Sequence, residues 1–200
     1  MSHPWEPDRL LNVVDVEATC WRGPSPRDQT NEIIEIGLCV VDLVDRRRVA
    51  RDRILVRPAR SRVSAFCTEL TGLTQAEVDA GVSFAEACRL LATRHQAGPR
   101  VWASWGDYDR LQFQRQCGAT QVPYPFGARH VNAKAVFAQA YGLQRKMGMA
   151  GALRHVELPL EGRHHSGADD AWNIGALVLH TLAAGAWPGD PGAGAPAGDT

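Results

Sequence analysis

The sequence lacks the marks of several large protein classes. Among its 200 residues no apolar run approaches the eighteen or so residues of a membrane span, so no helical anchor is expected and no membrane partner. The first eight residues, Met-Ser-His-Pro-Trp-Glu-Pro-Asp, have neither the basic region nor the apolar core of a secretory signal. Cysteines number five and are scattered at Cys20, Cys39, Cys67, Cys88 and Cys117, with no CxxC pair. That spacing argues against a zinc site or a disulfide framework, and the thiols read as reduced in a cytoplasmic protein. A glycine-rich phosphate loop is missing, which disfavours a sugar- or phosphate-processing enzyme of that type. No internal repeat is visible. Net charge is zero, from 22 basic and 22 acidic residues, and gives no global sign of nucleic-acid binding.

What is present is an ordinary soluble composition, 44% apolar and 22% charged, long enough for one compact domain with a sizeable core. From Gly185 onward the residues are mainly Gly, Pro, Ala and Asp, which bury too little apolar area to order themselves. The expected organisation is one domain over 1–187 and a disordered tail over 188–200.

The chain is organised around Leu10 to Thr19, Leu-Leu-Asn-Val-Val-Asp-Val-Glu-Ala-Thr. Its β-branched, apolar character reads as a buried strand. Strand side chains alternate, so Asp15 and Glu17 share a face, about 7 Å apart along the strand. Two like charges on one face of a core strand resist burial, and a divalent cation between them is the simplest remedy. A strand end with both acids solvated is the plainer alternative.

Cys20 to Thr30 reads as a loop by its Gly and Pro. Glu32 to Val44 and Arg47 to Val56 read as second and third strands, the latter ended by Pro58, in an antiparallel meander with the first. Ala65 to Gly72 reads as a short helix. Thr74 with Glu77 forms a capping box, and Ser83 with Glu86 repeats that signal before an amphipathic helix to about Gln96, stopped by Gly98 and Pro99. Val101 to Trp105 reads as a fourth, central strand. Asp109 to Cys117, His130 to Tyr141 and Ser166 to about Ala184 read as helices. Strands followed by alternating helices and strands give an α/β fold, a mixed sheet of about five strands flanked by helices.

Three places carry further chemistry. Ser166 to Asp169 resembles a capping box at the start of the last helix, which puts Asp170 in its first turn, where the helix dipole favours a negative charge. His165 precedes that helix in what reads as a mobile loop, with His164 beside it as a bystander. Ser104-Trp-Gly-Asp-Tyr-Asp109 lies at a strand-to-helix junction, where α/β sheets place ligand-binding groups, and either Asp107 or Asp109 serves equally as an N-cap. Finally, Arg46, Arg47, Arg48, Arg51, Arg53, Arg57, Arg60 and Arg62 crowd one segment with only Asp52 among them. They read either as a solvated hairpin or as a positive rim for a phosphate backbone.

Taken together, Asp15-x-Glu17, the Tyr108-Asp109 step and His165-x4-Asp170 resemble the three motifs of the DEDDh 3′–5′ exonucleases, of ribonuclease H-like fold. The resemblance is to the branch of histone-mRNA and RNA-interference exonucleases. It is carried by Asp15-Val-Glu-Ala-Thr-Cys20, Asn31-Glu-Ile-Ile-Glu-Ile-Gly37, Cys67-Thr-Glu-Leu-Thr-Gly-Leu-Thr-Gln75 and His165-Ser-Gly-Ala-Asp-Asp170. It covers roughly residues 10 to 184 and leaves no stretch long enough for the extra RNA-binding domain of that family.

The resemblance implies that Asp15, Glu17, Asp109 and Asp170 hold two Mg²⁺ or Mn²⁺ ions about 3.5–4 Å apart. His165 is then the general base. An aromatic residue before the acid of the middle motif selects Asp109, with Asp107 second. Ala18 and Thr19 meet the terminal nucleotide through backbone and hydroxyl, beside Glu17 and His165. Leu73 packs on the terminal base or, equally, in the core. Trp21 and Phe66 are stacking candidates, and Cys20, Cys67 and Cys117 are small buried side chains. The implied substrate is single-stranded nucleic acid, RNA favoured over DNA, cut from the 3′ end to nucleoside 5′-monophosphates. A catalytically silent binding module of the same fold is the alternative. Oligomeric state is not legible in the sequence.

Overall fold

A computed structural model of the protein describes residues 9–188. Five strands, β1 (Leu10–Ala18), β2 (Ile33–Asp42), β3 (Arg47–Leu55), β4 (Val101–Ser104) and β5 (His130–Asn132), form one mixed sheet in the order β3-β2-β1-β4-β5. The first three make the expected antiparallel meander, and β4 and β5 join in parallel. The central strand is therefore β1, not β4, because β2 and β4 take its two edges. The helices are α1 (Ala65–Thr71), α2 (Gln75–Asp79), α3 (Phe84–Arg94), α4 (Tyr108–Thr120), α5 (Ala133–Ala140), α6 (Met149–His155) and α7 (Gly167–Ala183).

Alternation along β1 builds two cores. Leu11 and Val13 face α5, α6 and α7, packing with Phe137, Leu153, Ile174 and Leu177. Val14 and Val16 face α3 and α4, packing with Leu91, Trp102 and Phe113. Each such fully buried side chain contributes ~1.5–3 kcal/mol of apolar transfer. Asp15 and Glu17 continue the Leu11/Val13 face, so the acids begin where the α7-side core ends.

Helix α7 crosses β2 at a contact that admits no side chain. A Cβ on Gly37 would sit 1.9 Å from the carbonyl carbon of Gly167. This glycine pair sets the first turn of α7 directly on the sheet, with a Gly167 Cβ site only 3.2 Å from the Asp15 carbonyl oxygen. Edge strand β3 is mostly exposed and arginine-rich, which discourages pairing with another sheet.

Several sequence expectations are corrected. His130 to Asn132 pairs with β4 as a strand, and Asn132 then caps the helix by accepting the Ala135 amide N–H, so the helix starts at Ala133. Helix α6 begins after Gly148 with no side-chain cap, so it carries no N-terminal signal in the sequence. Thr74 and Glu77 do form a reciprocal capping box. The compositional break at Gly185 comes too early, since Trp187 is buried in the α7-side core. Residue 188 is described; the remainder of the expected tail, 189–200, lies outside the described residues. No helix among the described residues is long and apolar enough to cross a membrane.

Candidate active site

Asp15 and Glu17 come from the end of β1, where a register shift between Glu17 and Ala18 re-aims the chain. Asp170 comes from the first turn of α7, seated by the Gly37–Gly167 contact. One oxygen from each of these three carboxylates lies within 4.8 Å of the others. Asp109, in the first turn of α4, is 4% exposed and stands beside that triangle. Its Oδ1 accepts the Val16 amide N–H at 2.9 Å, between the two β1 acids. Asp107 is elsewhere: its carboxylate accepts from Arg110 at 3.0 Å and from Asn132 at 2.8 Å at the surface. Neither acid caps α4 through its side chain, because Asp107 is spent on those partners and Asp109 on β1.

Crowding raises every proton affinity in the cluster. Burial pushes Asp15 well above the usual carboxylate range, reinforced by Asp109, Glu17, Asp170 and Glu35. Burial, then Asp170, Glu35 and Asp109, push Glu17 up to about 8, against a smaller opposing pull from Arg163. Asp109 is pushed up to about 6 by burial, against donors that include the Val16 amide and Ser104. Burial also raises Asp170, partly offset by His164 and by the His165 amide. The hydrogen bonds of the described residues include none donated to Asp15 or Glu17. An all-oxygen cluster in which two carboxylates have no protein donor among the described residues fits a hard divalent cation.

Two histidines flank Asp170. The His165 amide donates to Asp170 Oδ2 at 3.0 Å, while the His164 Nδ1 lies 3.0 and 3.2 Å from its two oxygens. The two imidazoles stack, with centroids 4.0 Å apart. His164 is therefore part of the site and not a bystander. Adjacent residues reach one carboxylate because His165 has a left-handed backbone, φ +63°. Burial, His164 and Arg163 all lower the His165 pKa. The loop is tied down: buried Asn173 accepts the Glu161 amide N–H and donates to the Glu161 carbonyl. The expected capping box at Ser166 does not form. Asp169 instead accepts the Arg163 amide N–H and pairs with Arg51.

The substrate-contact residues divide. Ala18 lies next to Glu17 but is 7% exposed, and Thr19 is fully buried. The Thr19 hydroxyl donates to the Thr30 carbonyl and accepts the Glu32 amide N–H, so it holds the 19–32 loop and is not free for a nucleotide. Leu73 is 1% exposed and packs with Ile34, Cys67 and Val78; of its two readings, core packing is the one realised. Trp21 is half-buried. Phe66 is half-buried under the Arg22 guanidinium, 5.1 Å from its ring centre. All five thiols are free, with Cys67 and Cys117 buried and Cys20 half-buried.

The sequence reading missed Glu35. It is fully buried, opposite Glu17 in the β1–β2 register, and accepts the Ala168 amide N–H at 3.1 Å while pairing with Arg53 at 3.2 Å. Its signal was a carboxylate inside the continuous apolar run Ile-Ile-Glu-Ile. The arginine segment does not form one rim. Arg47 pairs with Asp45, Arg48 pairs with Glu161 and lies over Trp172, Arg51 pairs with Asp169, and Arg53 pairs with Glu35.

Comparison with known proteins agrees with this geometry. The family model described as Exonuclease matches residues 13–178. The 3′-5′ exonuclease Snipper of Drosophila melanogaster is 30% identical over 203 residues, taking in 90% of this chain and 72% of the fly protein. ERI1 exoribonuclease 2 of Danio rerio is 29% identical over 199 residues, 88% of this chain; the chain spans only 35% of that relative. The solved nuclease domain of 3′hExo, a DEDDh family member, bound to rAMP, matches with a TM-score of 0.81 at 25% identity, over 89% of this chain and 94% of that one. The chain belongs to the exonuclease family, as a 3′–5′ exonuclease of ribonuclease H-like fold.

Proposed function

We propose that the protein is a metal-dependent exonuclease that removes nucleoside 5′-monophosphates from the 3′ end of single-stranded nucleic acid, RNA in preference to DNA. The observation that carries this reading is the triangle of Asp15, Glu17 and Asp170 oxygens within 4.8 Å, two of its members receiving no hydrogen bond among the described residues. Such a cluster is costly until a cation enters it. RNA is favoured because the Danio relative carries exoribonuclease in its name.

Asp15, Glu17 and Asp170, with Asp109 beside them, are the residues to hold two Mg²⁺ or Mn²⁺ ions. When bound, such ions lower the pKa of a water and neutralise charge at the scissile phosphate. Asp109 is held by the Val16 amide, which fixes its carboxylate relative to both β1 acids. His165, neutral at working pH because burial lowers its pKa, takes the proton of the attacking water. His164 and the His165 amide hold the Asp170 carboxylate in place while this happens. The catalytic domain is residues 1–187, and the location is cytoplasmic, a reading that rests on the cysteine pattern.

The test is hydrolysis of matched 5′-labelled RNA and DNA strands with Mg²⁺ or Mn²⁺, repeated in EDTA and with a blocked 3′ end. The expected result is stepwise shortening from the 3′ end, faster for RNA, lost in EDTA and lost with the block. Binding without shortening in any cation would replace this reading with the silent binding module.

A further inference from the structure

Beside the acids, on the same face of the sheet, lies a cavity of about 390 Å³. Its wall carries three guanidinia, Arg51 and Arg53 of β3 and Arg163 before α7, and two carboxylates, Asp52 and Asp169, with Gly72 at the end of α1. That volume lies within the range of small-ligand sites. Three guanidinia from two separate parts of the chain converge on it.

The arrangement is built, not incidental. Arg51 and Arg53 project to the α7 face because β3 pairs Arg53 with Gly37 and Arg51 with Cys39, residues on the Asp15 and Val13 side of the sheet. Arg163 reaches the carbonyls of Glu69 and Leu70 at the end of α1, where the helix dipole favours a cation. Gly72, at φ +76°, makes room for it: a Cβ there would sit 1.6 Å from Arg163 Nη1. Arg53 is anchored on buried Glu35 and Arg51 on Asp169. Each keeps guanidinium N–H groups without a protein acceptor among the described residues. The third guanidinium, Arg163, donates to those backbone carbonyls and to no carboxylate among the described residues, so of the three it is the one not already held by an acid, on a wall that Asp52 and Asp169 share.

The cleft also continues into the acid site. Arg53 touches Glu35, which pairs across the strands with Glu17, and Asp169 adjoins Asp170 in α7. A group held in the cleft is thus a near neighbour of one held by the acids.

We propose that this cleft is a second phosphate site, holding the phosphodiester immediately 5′ of the scissile one through Arg51, Arg53 and Arg163. The inference rests on the exonuclease reading, and its polarity follows from it. An enzyme working at a 3′ end has further phosphates only on the 5′ side of the bond it cuts. Guanidinia supply the forked donors that phosphate oxygens accept, and their release of counterions makes binding salt-dependent.

The experiment measures binding of a fluorescein-labelled ten-uridine RNA at several KCl concentrations, with Ca²⁺ as the cation. Arg51→Gln and Arg163→Gln are compared with wild type, with Arg51→Lys as the charge-preserving variant. Arg89→Gln serves as control, since Arg89 pairs with Glu86 at an exposed position on α3. Each neutralising variant is expected to weaken binding severalfold and to lower the slope of log affinity against log salt by about 0.7, the value for one single-strand phosphate. Arg51→Lys and Arg89→Gln are expected to keep the wild-type slope, which separates lost charge from lost fold. Wild-type slope and affinity in both Arg51→Gln and Arg163→Gln, in a protein that still shortens RNA, overturn the cleft alone. A wild-type protein that neither binds nor shortens RNA overturns the exonuclease reading and the cleft with it.

Discussion

Two carboxylates buried a few residues from the ends of neighbouring strands meet opposite fates. Glu32, before β2, is 5% exposed and accepts three backbone N–H groups, from Ala59, Arg60 and Ser61, at 2.6–3.0 Å. Glu17, near the end of β1, is 8% exposed, receives no hydrogen bond among the described residues, and has its pKa pushed up to about 8. Burial alone therefore does not mark a functional acid. A buried carboxylate with donors fastens a loop; one without donors, facing others like it, holds a place for a cation.

Substitution should separate the two fates most sharply at the acid cluster. Asp15→Asn is expected to lower turnover by at least ~10³-fold at saturating Mg²⁺, because it removes a ligand charge. In EDTA at pH 8 the same variant should melt higher than wild type, because it relieves repulsion. Glu32→Gln should do the reverse, costing ~1–3 kcal/mol of stability in a denaturant titration while leaving cation affinity per folded molecule unchanged. Turnover surviving in Asp15→Asn, or metal affinity lost in Glu32→Gln, would break the distinction.

The middle motif gives the next largest contrast. Asp109→Asn is expected to cost about 10²–10³-fold in rate, the usual loss for one preorganised electrostatic partner at a reacting centre. Asp107→Asn should cost less than threefold, because its partners are Arg110 and Asn132 at the surface. Steady-state rates on one RNA strand decide it; the opposite ranking would move the motif by two residues.

Much of this was legible because it is local. Alternation in Leu11–Glu17 gave the strand and the shared face of its acids, and Thr74 with Glu77 gave a helix start. What was not legible depends on partners distant in sequence. Nothing in Val101–Ser104 says that β1 will have β4 on one side and β2 on the other. His130–Asn132 is too short to display a period of two, and Gly148 offers α6 no side-chain signal. Leu73 in Thr-Gly-Leu-Thr carries no mark of whether Ile34 and Val78 will bury it. The His164–His165 pair is the clearest case: spacing selects His165, but the left-handed turn there brings both rings to Asp170. Glu35 stood in plain view as a charge in an apolar run, and only the register with Glu17 shows what it faces.

The histidine pair is the subtler test. His165→Ala should lower the rate by about 10²–10⁴, the share of general base catalysis, and flatten the acid limb of the pH–rate profile. That limb should have its midpoint below 6.5, because burial and the neighbouring His164 and Arg163 lower the pKa of His165. His164→Ala should cost about tenfold and keep the limb, since its ring positions Asp170 without taking the proton. If the limb vanishes in the His164 variant and persists in the His165 variant, the roles are exchanged.

The smallest expected effect is on stability, and its sign is fixed by Glu17. In the cation-free protein its pKa rises from 4.5 to about 8 on folding, so the folded state holds a proton that the unfolded chain releases. The stability linked to that proton is fully present below about pH 4.5 and is lost as pH rises through about 8. The melting temperature in EDTA should therefore fall by roughly 5–10 °C between pH 5 and pH 8. Glu17→Gln should flatten that slope. Mg²⁺ or Mn²⁺ added at pH 8 should restore the lost stability and release protons into weakly buffered solution, because the cation takes the place of the proton. A melting temperature that rises from pH 5 to pH 8 in EDTA, unchanged in Glu17→Gln, would show that the cluster already has a counter-charge and needs no cation.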